Sequence, residues 1–240
     1  MAGPQYNRVL LKISGEALGG PTGTGLHAET LAYLAREVIA VHELGVQVAI
    51  VVGGGNFIRG EVFSVQGGID RTVADQMGML GTIMNGLAIQ SAIEKLGVPT
   101  RVQSAINVSA VCEPFIKRRA ERHLEKQRVV VFAAGTGNPY FSTDTAAALR
   151  ALEIQAGCLI KATKVDGVYD KDPKKHDDAV KYRTLGYNEA LSKRLAVMDP
   201  TAFTLCREHN LPVIVLDLHE QGSMVRAVKG EPVGTLVEGE

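Results

Sequence analysis

Short apolar runs rich in Val and Ile alternate along the chain with longer segments whose apolar residues recur at helical spacing. Both faces of the short runs are apolar, which is typical of buried parallel strands. The predicted strands are Val9–Ile13, Val46–Val52, Val129–Ala133, Leu159–Lys161 and Pro212–Leu216. The predicted helices are His27–Leu44, Asp70–Leu96, Pro114–Gln127, Thr143–Ile154 and Asp199–His209. This alternation predicts an α/β three-layer sandwich, with a central, mainly parallel sheet and helices on both faces.

The length of 240 residues fits a single large domain or two closely packed lobes. No long linker or repeat interrupts the chain. The segment Lys171–Arg183 is rich in Lys and Asp, and we expect it to form an irregular loop or lid. Its neighbourhood marks a division into an N-terminal lobe of about residues 1–157 and a C-terminal lobe of about residues 158–240.

Charge and cysteine content narrow the class of protein. Lys plus Arg and Asp plus Glu number 26 each, so a broad surface for nucleic acid or an anionic membrane is not expected. Cys112, Cys158 and Cys206 have no metal-site or CxxC spacing, which predicts reduced thiols and a cytoplasmic protein. Neither a signal peptide nor a membrane span is expected. The six histidines form no ligand cluster, so no protein metal site is predicted.

Four loops with candidate phosphate-binding residues directly follow predicted strands, where open α/β sheets bind their ligands. The first is Lys12-Ile13-Ser14-Gly15-Glu16, and the second is Gly53-Gly54-Gly55-Asn56 with Arg59 close behind. Three successive glycines lose much backbone entropy on folding, so they indicate amide groups brought close to an anion. A solvated lysine at the sheet rim and a plain tight turn remain the alternatives.

The third loop runs from Gly135 to Asp144 and the fourth from Lys161 to Pro173. The third combines glycines, an amide, hydroxyls and aromatic rings, and it precedes a helix whose amino end attracts phosphate. The fourth has two lysines, an Asp-Gly turn and a tyrosine, which fit a nucleotide pocket. A simple helix cap is the alternative for Asp144, and a charged surface loop is the alternative for the fourth loop. Walker A and dinucleotide fingerprints are absent from the sequence.

Six segments occur together in a characteristic order: Lys12–Glu16, Gly53–Asn56 with Arg59-Gly60, Asp75–Leu80, Thr136–Asp144, Lys161–Tyr169 and Val197–Asp199. In this combination the chain resembles the bacterial UMP kinases of the amino-acid-kinase family along essentially its whole length. The Asp75 segment and Thr-Gly-Asn-Pro resemble the UMP-specific branch, whereas the other motifs are shared more widely in the family. The resemblance implies ATP-dependent phosphorylation of UMP to UDP in pyrimidine nucleotide biosynthesis.

The resemblance also implies roles for individual residues. The catalytic residues would be Lys12, Asp144 and Lys164. ATP would contact Lys12, Ile13, Ser14, Gly15, Gly55, Arg59, Thr163, Tyr169 and Asp172. UMP would contact Gly54, Asp75, Thr136, Gly137, Asn138, Pro139, Tyr140, Phe141, Ser142 and Thr143, with Asp75 on the ribose hydroxyls. The N-terminal lobe would then hold the acceptor and the C-terminal lobe ATP.

Regulation and assembly are implied in the same way, as a homohexamer that GTP activates and UTP inhibits. The candidate effector residues are Gly20, Pro21, Thr22, Gly23, Thr24, Gly25, Arg101 and Arg128. The glycine-rich segment matches the family in position and glycine content alone. Arg101 and Arg128 begin or adjoin predicted strands, where a guanidinium could meet a triphosphate. Ordinary strand-edge arginines are the alternative.

The chemistry of this reaction sets what the site must supply. The acceptor oxygen of UMP is already anionic, so no general base is needed. Phosphoryl transfer is catalysed by positioning and positive charge, which Lys12, loop amides and Mg²⁺ would provide. The Mg²⁺ would be held mainly by ATP phosphates and water. Two other functions stay open: phosphorylation of a carboxylate or carbamate by another member of the family, and nucleotide binding without turnover in a storage or sensor protein.

Overall fold

The secondary structure follows the predicted alternation. A computed structural model describes residues 3–58, 68–173, 175–195 and 197–239. Its strands are β1 (Arg8–Ile13), β2 (Gln47–Val52), β3 (Thr100–Ser104), β4 (Glu113–Pro114), β5 (Val129–Ala133), β6 (Cys158–Thr163), β7 (Thr184–Leu185), β8 (Val213–Asp217) and β9 (Thr235–Val237). Its helices are α1 (Gly15–Leu18), α2 (Ala28–His42), α3 (Arg71–Glu94), α4 (Lys117–Glu125), α5 (Thr143–Glu153), α6 (Tyr187–Ser192), α7 (Pro200–Glu208) and α8 (Ser223–Val228), with a 3-10 turn at Gly20–Thr22.

The described strands form one sheet in the order β4-β3-β5-β2-β1-β6-β8-β9-β7. Neighbouring strands are parallel except β8 and β9, which are antiparallel. The predicted mainly parallel sheet is therefore confirmed. Because β6 pairs directly with β1, the sheet continues across the expected boundary near residue 157. The division into an acceptor lobe and an ATP lobe stays a prediction.

Apolar side chains on both faces of the central strands explain the three layers. Along β1, Val9, Leu11 and Ile13 pack into one buried cluster, while Leu10 packs into another on the opposite face. Helices α2, α3 and α8 supply side chains to the first cluster, and α4, α5 and α7 to the second. A strand that is apolar on both faces needs a helix layer on each, which confirms the predicted sandwich.

The predicted helices begin at the right caps in most cases. His27, Asp70 and Asp199 each cap a helix with their side chains, as their positions before the helical patterns suggest. The prediction for Pro114–Gln127 was wrong at its start, because Pro114 lies in β4 and α4 begins at Lys117. Among the described residues, no helix is both long enough and apolar enough to cross a membrane.

Candidate active site

The four candidate loops meet at one edge of the sheet. They follow β1, β2, β5 and β6, which lie side by side in parallel at the centre of the sheet. The carboxyl ends of neighbouring parallel strands point the same way, so the loops after them are adjacent. The expectation that these loops lie together at the carboxyl edge of the sheet is therefore confirmed, and ligand binding at this edge stays a prediction.

Asp144 lies at the centre of this edge, between two lysines. Lys12 Nζ is 2.6 Å from Asp144 Oδ1, and Lys161 Nζ is 2.8 Å from Asp144 Oδ2. Lys161 also donates a hydrogen bond of 2.7 Å to the carbonyl of Val197. The two lysines come together because Lys12 in β1 and Lys161 in β6 are partners in the strand register. The sequence analysis placed Lys161 in the fourth loop but gave the catalytic role there to Lys164, although a charged residue inside an apolar strand is a usable signal.

Burial and charge act in opposite directions on Asp144. Burial raises the pKa of its carboxyl, but the charges of Lys12 and Lys161 outweigh that effect and leave the pKa below its ordinary value. Burial lowers the pKa of Lys161, and Asp144 opposes that shift. Asp144 is therefore ionised at neutral pH, and it holds two ammonium groups at the mouth of the sheet.

The amino end of α5 is fixed by a second carboxylate, Asp199. Ser142 caps α5 by accepting from the backbone N–H groups of Asp144 and Thr145, at 3.0 and 3.2 Å. Its hydroxyl donates to Asp199 Oδ2 at 2.5 Å, and Thr145 Oγ1 donates to Asp199 Oδ1 at 3.0 Å. Asp199 also caps α7. One carboxylate thus ties together the starts of two helices and helps to place Asp144.

Glycines in the first and second loops allow the backbones to touch. A Cβ on Gly15 would lie 2.6 Å from the Gly53 carbonyl oxygen, and a Cβ on Gly54 would lie 2.5 Å from the Gly78 carbonyl oxygen in α3. A Cβ on Gly55 would meet nothing closer than 3.5 Å. The interpretation of the triple glycine as an anion loop alone was therefore incomplete, since Gly54 is required for packing against α3.

A pair of buried amides fixes the second loop. Asn85 Nδ2 donates to the Gly53 carbonyl and to Asn56 Oδ1, both at 2.7 Å. Asn56 Nδ2 donates in return to Asn85 Oδ1 at 2.9 Å and to the Gly25 carbonyl at 2.6 Å. The glycine-rich segment of residues 20–25 is thereby attached to the second loop. Asn56 was named from the sequence as part of the second loop, but Asn85 was not, because a helix position such as 85 carries no local signal for this contact.

A cavity of about 120 Å³, the Asp75 cavity, lies between the second loop, α3 and the third loop. Six of the residues predicted to contact UMP line it: Gly54, Asp75, Thr136, Asn138, Phe141 and Thr143. Gly55, predicted for ATP, also lines it. A Cβ on Gly55 would be 3.5 Å from Glu16, so this glycine stands beside the first loop as well. The structure thus gathers residues that are up to 89 positions apart (143 − 54) around one space.

The remaining third-loop residues shape the loop around that cavity. Asp75 Oδ2 accepts from the backbone N–H of Tyr140 at 2.9 Å, and both carboxylate oxygens accept from Arg71 Nε at 3.0 Å. Gly137 has a φ of 82°, and its α-carbon faces Ala105. Ser142 caps α5, and Pro139 lies in the turn that leads to it. Asp75 therefore fastens the third loop to α3 in addition to facing the cavity.

A second space of about 330 Å³, the lysine cavity, opens beside Asp144. Lys12, Ser14, Glu16, Lys161, Thr163 and Lys164 line it. Ser14 caps α1, and Gly15 is buried against the second loop. The Ile13 side chain is fully buried in the core, so its backbone alone could face a ligand. Arg59 lies outside the described residues.

A third space of about 450 Å³, the Tyr169 cavity, adjoins the lysine cavity. Val165, Gly167 and Val168 line both spaces. Tyr169 and Asp172, predicted for ATP, line the Tyr169 cavity together with Pro173. The three spaces follow one another along the carboxyl edge of the sheet, which suits a ligand pair joined by phosphates.

The candidate effector residues lie elsewhere. Residues 20–25 begin with the 3-10 turn after α1. Arg101 lies in β3, where it pairs with Glu94 at 3.3 Å, and Arg128 precedes β5 and lies 3.2 Å from His123 Nδ1. Both arginines stand at the amino ends of their strands, opposite the edge that holds Asp144.

The side chains that line the lysine cavity suit a metal ion that is bound to the phosphates of a nucleotide. Among the described residues, no group of three or more His, Cys, Asp or Glu is placed to hold a metal. Both oxygens of Asp144 face lysines, and Glu16 adds a carboxylate to the lining of the cavity. A Mg²⁺ ion held mainly by phosphate oxygens and water would fit this set, because it needs no cage of protein ligands.

Comparison with known proteins agrees with this geometry. The model of the amino acid kinase family matches residues 7–217. The chain is 58% identical over 234 residues to a uridylate kinase of Cereibacter sphaeroides, which covers 98% of this chain and 95% of that protein. It is 54% identical to a uridylate kinase of Dichelobacter nodosus over 98% of this chain and 97% of that protein. The solved structure of a UMP kinase from Bacillus anthracis has a TM-score of 0.94 at 40% identity, covering 97% of this chain and 96% of that one.

Proposed function

This chain belongs to the amino acid kinase family, and from that premise we propose that it transfers the γ-phosphoryl group of ATP to UMP. The placement of Asp144 between Lys12 and Lys161 carries the proposal. The Asp144 carboxylate holds two positive charges where the lysine cavity approaches the Asp75 cavity. The uridylate kinases that share 54–58% of their residues with this chain support UMP as the acceptor.

UMP would occupy the Asp75 cavity. Its walls offer a carboxylate, hydroxyls, an amide and the ring of Phe141, which suit a ribose, a phosphate and a base. Asp75 keeps acceptor capacity for the ribose hydroxyls beyond the bonds it receives from Arg71 and Tyr140. The amino end of α5 faces the same cavity through Thr143, where a phosphate is stabilised by the helix dipole.

Lys12 and Lys161 would stabilise the phosphoryl group in flight. Charge on its equatorial oxygens must be matched by fixed positive groups, which act strongly in a site shielded from water. Asp144 holds both ammonium groups in place and does not act as a base, because its lowered pKa leaves no proton-accepting role at neutral pH. Lys164 lines the same cavity and would add a third charge on the ATP phosphates.

ATP would extend from the lysine cavity into the Tyr169 cavity. Ser14, Gly15 and the Ile13 backbone would face its phosphates, while Thr163, Tyr169 and Asp172 would hold the adenosine. Bound Mg²⁺ neutralises phosphate charge and so lowers the repulsion between the two nucleotides. The part of this chain would be to orient the phosphates with Lys12, Lys161 and Lys164, and Glu16 would be the carboxylate of the cavity lining available to the metal.

On the resemblance alone, we also propose a cytoplasmic homohexamer that GTP activates and UTP inhibits. Residues 20–25, Arg101 and Arg128 are the candidate effector groups. The hydrogen bond from Asn56 to the Gly25 carbonyl connects residues 20–25 to the second loop, which supports an effect of an effector at residues 20–25 on that loop. An activator must bind two conformations with different affinity, so GTP would change substrate dependence without donating phosphate.

Release of ADP from Mg-ATP, measured with UMP, CMP, dUMP and small carboxylates as acceptors, tests the function. We expect UMP to support the highest kcat/KM. Preference for a carboxylate would assign the chain to another branch of the family. Binding of ATP with no ADP release on any acceptor would favour a storage or sensor protein.

A further inference from the structure

The carboxylate of Asp166 joins two residues that come from opposite ends of the loop after β6. Tyr169 Oη donates to Asp166 Oδ1 at 2.7 Å, and Lys181 Nζ donates to Asp166 Oδ2 at 2.9 Å. Because each oxygen has its own donor, the plane of the carboxylate is set by both partners. Removing the lysine would free Asp166 to rotate, and the phenol would then lose its fixed acceptor.

The stem of Lys181 also packs against the turn that carries Asp166. A Cβ on Gly167 would lie 2.7 Å from Lys181 Cε and 2.6 Å from Thr235 Oγ1, so the lysine lies directly on this glycine. Thr235 in β9 accepts from the backbone N–H of Val168 at 2.8 Å. The Asp-Gly turn is thus held by an aliphatic stem on one side and by β9 below it, and an alanine at 167 would not fit.

Backbone pairing places Lys181 at the base of the loop. Tyr169 and Lys181 form an antiparallel bridge, and the N–H groups of Asp170 and Tyr182 donate across it to Val180 and Val168, at 3.1 and 2.9 Å. The loop between them carries Asp172, which lines the Tyr169 cavity. The segment that carries Asp172 therefore begins and ends at this base.

Lys181 and Tyr169 face different spaces. Within the described residues, Asp166 and Lys181 line a groove of about 770 Å³ beside α8, which Arg183 and Arg226 also line. Tyr169 lines the Tyr169 cavity instead. A nucleotide in that cavity would contact Tyr169, while Lys181 stands behind it. The Lys181 side chain would therefore act on that nucleotide indirectly, through its bond to Asp166 and through its contact with Gly167.

The protonation states of Asp166 and Tyr169 agree with a hydrogen bond in which Tyr169 donates and Asp166 accepts. Burial raises the pKa of Asp166, but the hydrogen bonds from Lys181 and Tyr169 outweigh it and leave the pKa below its ordinary value. The bond to Asp166 raises the pKa of Tyr169. At neutral pH the carboxylate is charged and the phenol keeps its proton, so the direction of both hydrogen bonds is settled.

We propose that Lys181 is a positioning residue for ATP, which orients Tyr169 through Asp166 and thereby fixes the adenosine side of the site. This inference rests on the proposed function for the assignment of ATP to the Tyr169 cavity. Lys181 would then influence nucleotide affinity although it touches neither nucleotide.

The test compares Lys181→Met, Lys181→Arg and the control Lys117→Met, each in the full chain. Lys117 also forms an ion pair, with Glu121 at 3.5 Å, but it lies on α4 and lines none of the three cavities. The dissociation constant of Mg-ATP is measured by calorimetry, and the KM values for Mg-ATP and UMP by ADP release.

We expect Lys181→Met to weaken Mg-ATP binding by about tenfold and to leave the KM for UMP unchanged. Lys181→Arg, which keeps the charge, should stay within about twofold of the parent protein, as should Lys117→Met.

A double variant separates positioning from general structure. In the Tyr169→Phe background the phenol can no longer be oriented, so Lys181→Met should add less than about twofold to the loss. Independent losses in the double variant, an equal rise in the KM for UMP, or an arginine variant as weak as methionine would each overturn the proposal. If Lys181→Met does not fold, Lys181→Leu, which also lacks a donor, takes its place with the same expected outcome. A parent protein that binds Mg-ATP without phosphorylating UMP would overturn the proposed function, and the calorimetry would still decide the role of Lys181.

Discussion

Replacing Lys161 by methionine removes one of the two charges beside Asp144 and keeps much of the side-chain volume. In the folded protein Asp144 would retain Lys12 at 2.6 Å on Oδ1, while Oδ2 and the Val197 carbonyl would each lose a donor. The substitution therefore tests charge at the reacting group more than the integrity of the fold.

The two expected effects of Lys161→Met differ greatly in size. Loss of one fixed charge that faces a developing anion costs about a hundred- to a thousandfold in kcat. Breaking a buried ion pair costs about 3–5 kcal/mol in stability when a charge is left unpaired. Lys12 still pairs with Asp144 and the buried charge of Lys161 is gone, so we expect a smaller loss of about 2 kcal/mol.

The assay for Lys161→Met is ADP release at saturating Mg-ATP and UMP, with thermal unfolding measured on the same preparation. Lys117→Met, at a residue of α4 that lines none of the three cavities, serves as the matched control and should retain the activity of the parent protein. We expect kcat to fall while the KM for UMP changes little, because the charge matters most in the transition state. A folded Lys161→Met protein with kcat within about twofold of the parent would refute the role of Lys161.

Four further outcomes follow from the same geometry. Asp75→Asn should weaken UMP binding by about tenfold in calorimetry and leave ATP binding unchanged, because an amide accepts with one of its two ends; a loss confined to ATP would place this residue in the other subsite. Gly54→Ala should lower the free energy of unfolding by about 1–3 kcal/mol in urea titration, because its Cβ would lie 2.5 Å from a carbonyl oxygen of α3. The pKa of Lys161 is lowered by burial from 10.5, so its charge is lost as pH rises through that lowered pKa; the alkaline fall of kcat/KM for Mg-ATP should therefore begin below the ordinary lysine range and move upward in Lys161→Arg. Arg101→Ala combined with Arg128→Ala should flatten the response to GTP in the ADP-release assay while basal activity remains, and full activation of the double variant would exclude both arginines.

The fold could be predicted wherever a strand is apolar on both faces. β1, β2 and β5 are such strands, and their predicted bounds lie within one residue of the observed ones. β3 was missed because its sequence Thr-Arg-Val-Gln-Ser is mostly polar, although Thr100 and Gln103 are fully buried. In the folded protein Thr100 Oγ1 donates to the Val98 carbonyl and Gln103 Nε2 donates to Glu113, and a hydrophobic pattern cannot reveal such contacts. The hydrophobic pattern also could not predict the order of the strands in the sheet.

Contacts between site residues on different strands could not be predicted, because they depend on the order of the strands in the sheet. The loops were placed correctly because each follows a strand, and the resemblance to a family supplied their roles. Lys161 was named in the fourth loop but given no catalytic role, because its contact with Asp144 depends on β6 lying beside β1, with Lys12 and Lys161 in register. The packing function of Gly54 was missed for a similar reason, since the helix that approaches it begins 17 residues later (71 − 54).

Transfer of a radiolabelled γ-phosphate from ATP tests the central claim most directly. The full chain is mixed with labelled Mg-ATP and UMP, and the products are separated and counted. The account predicts that label appears in UDP in a one-to-one ratio with ADP and that Lys12→Met, which removes the other charge beside Asp144, nearly abolishes it. Label that appears as inorganic phosphate or on the protein, with UMP unchanged, would contradict the account.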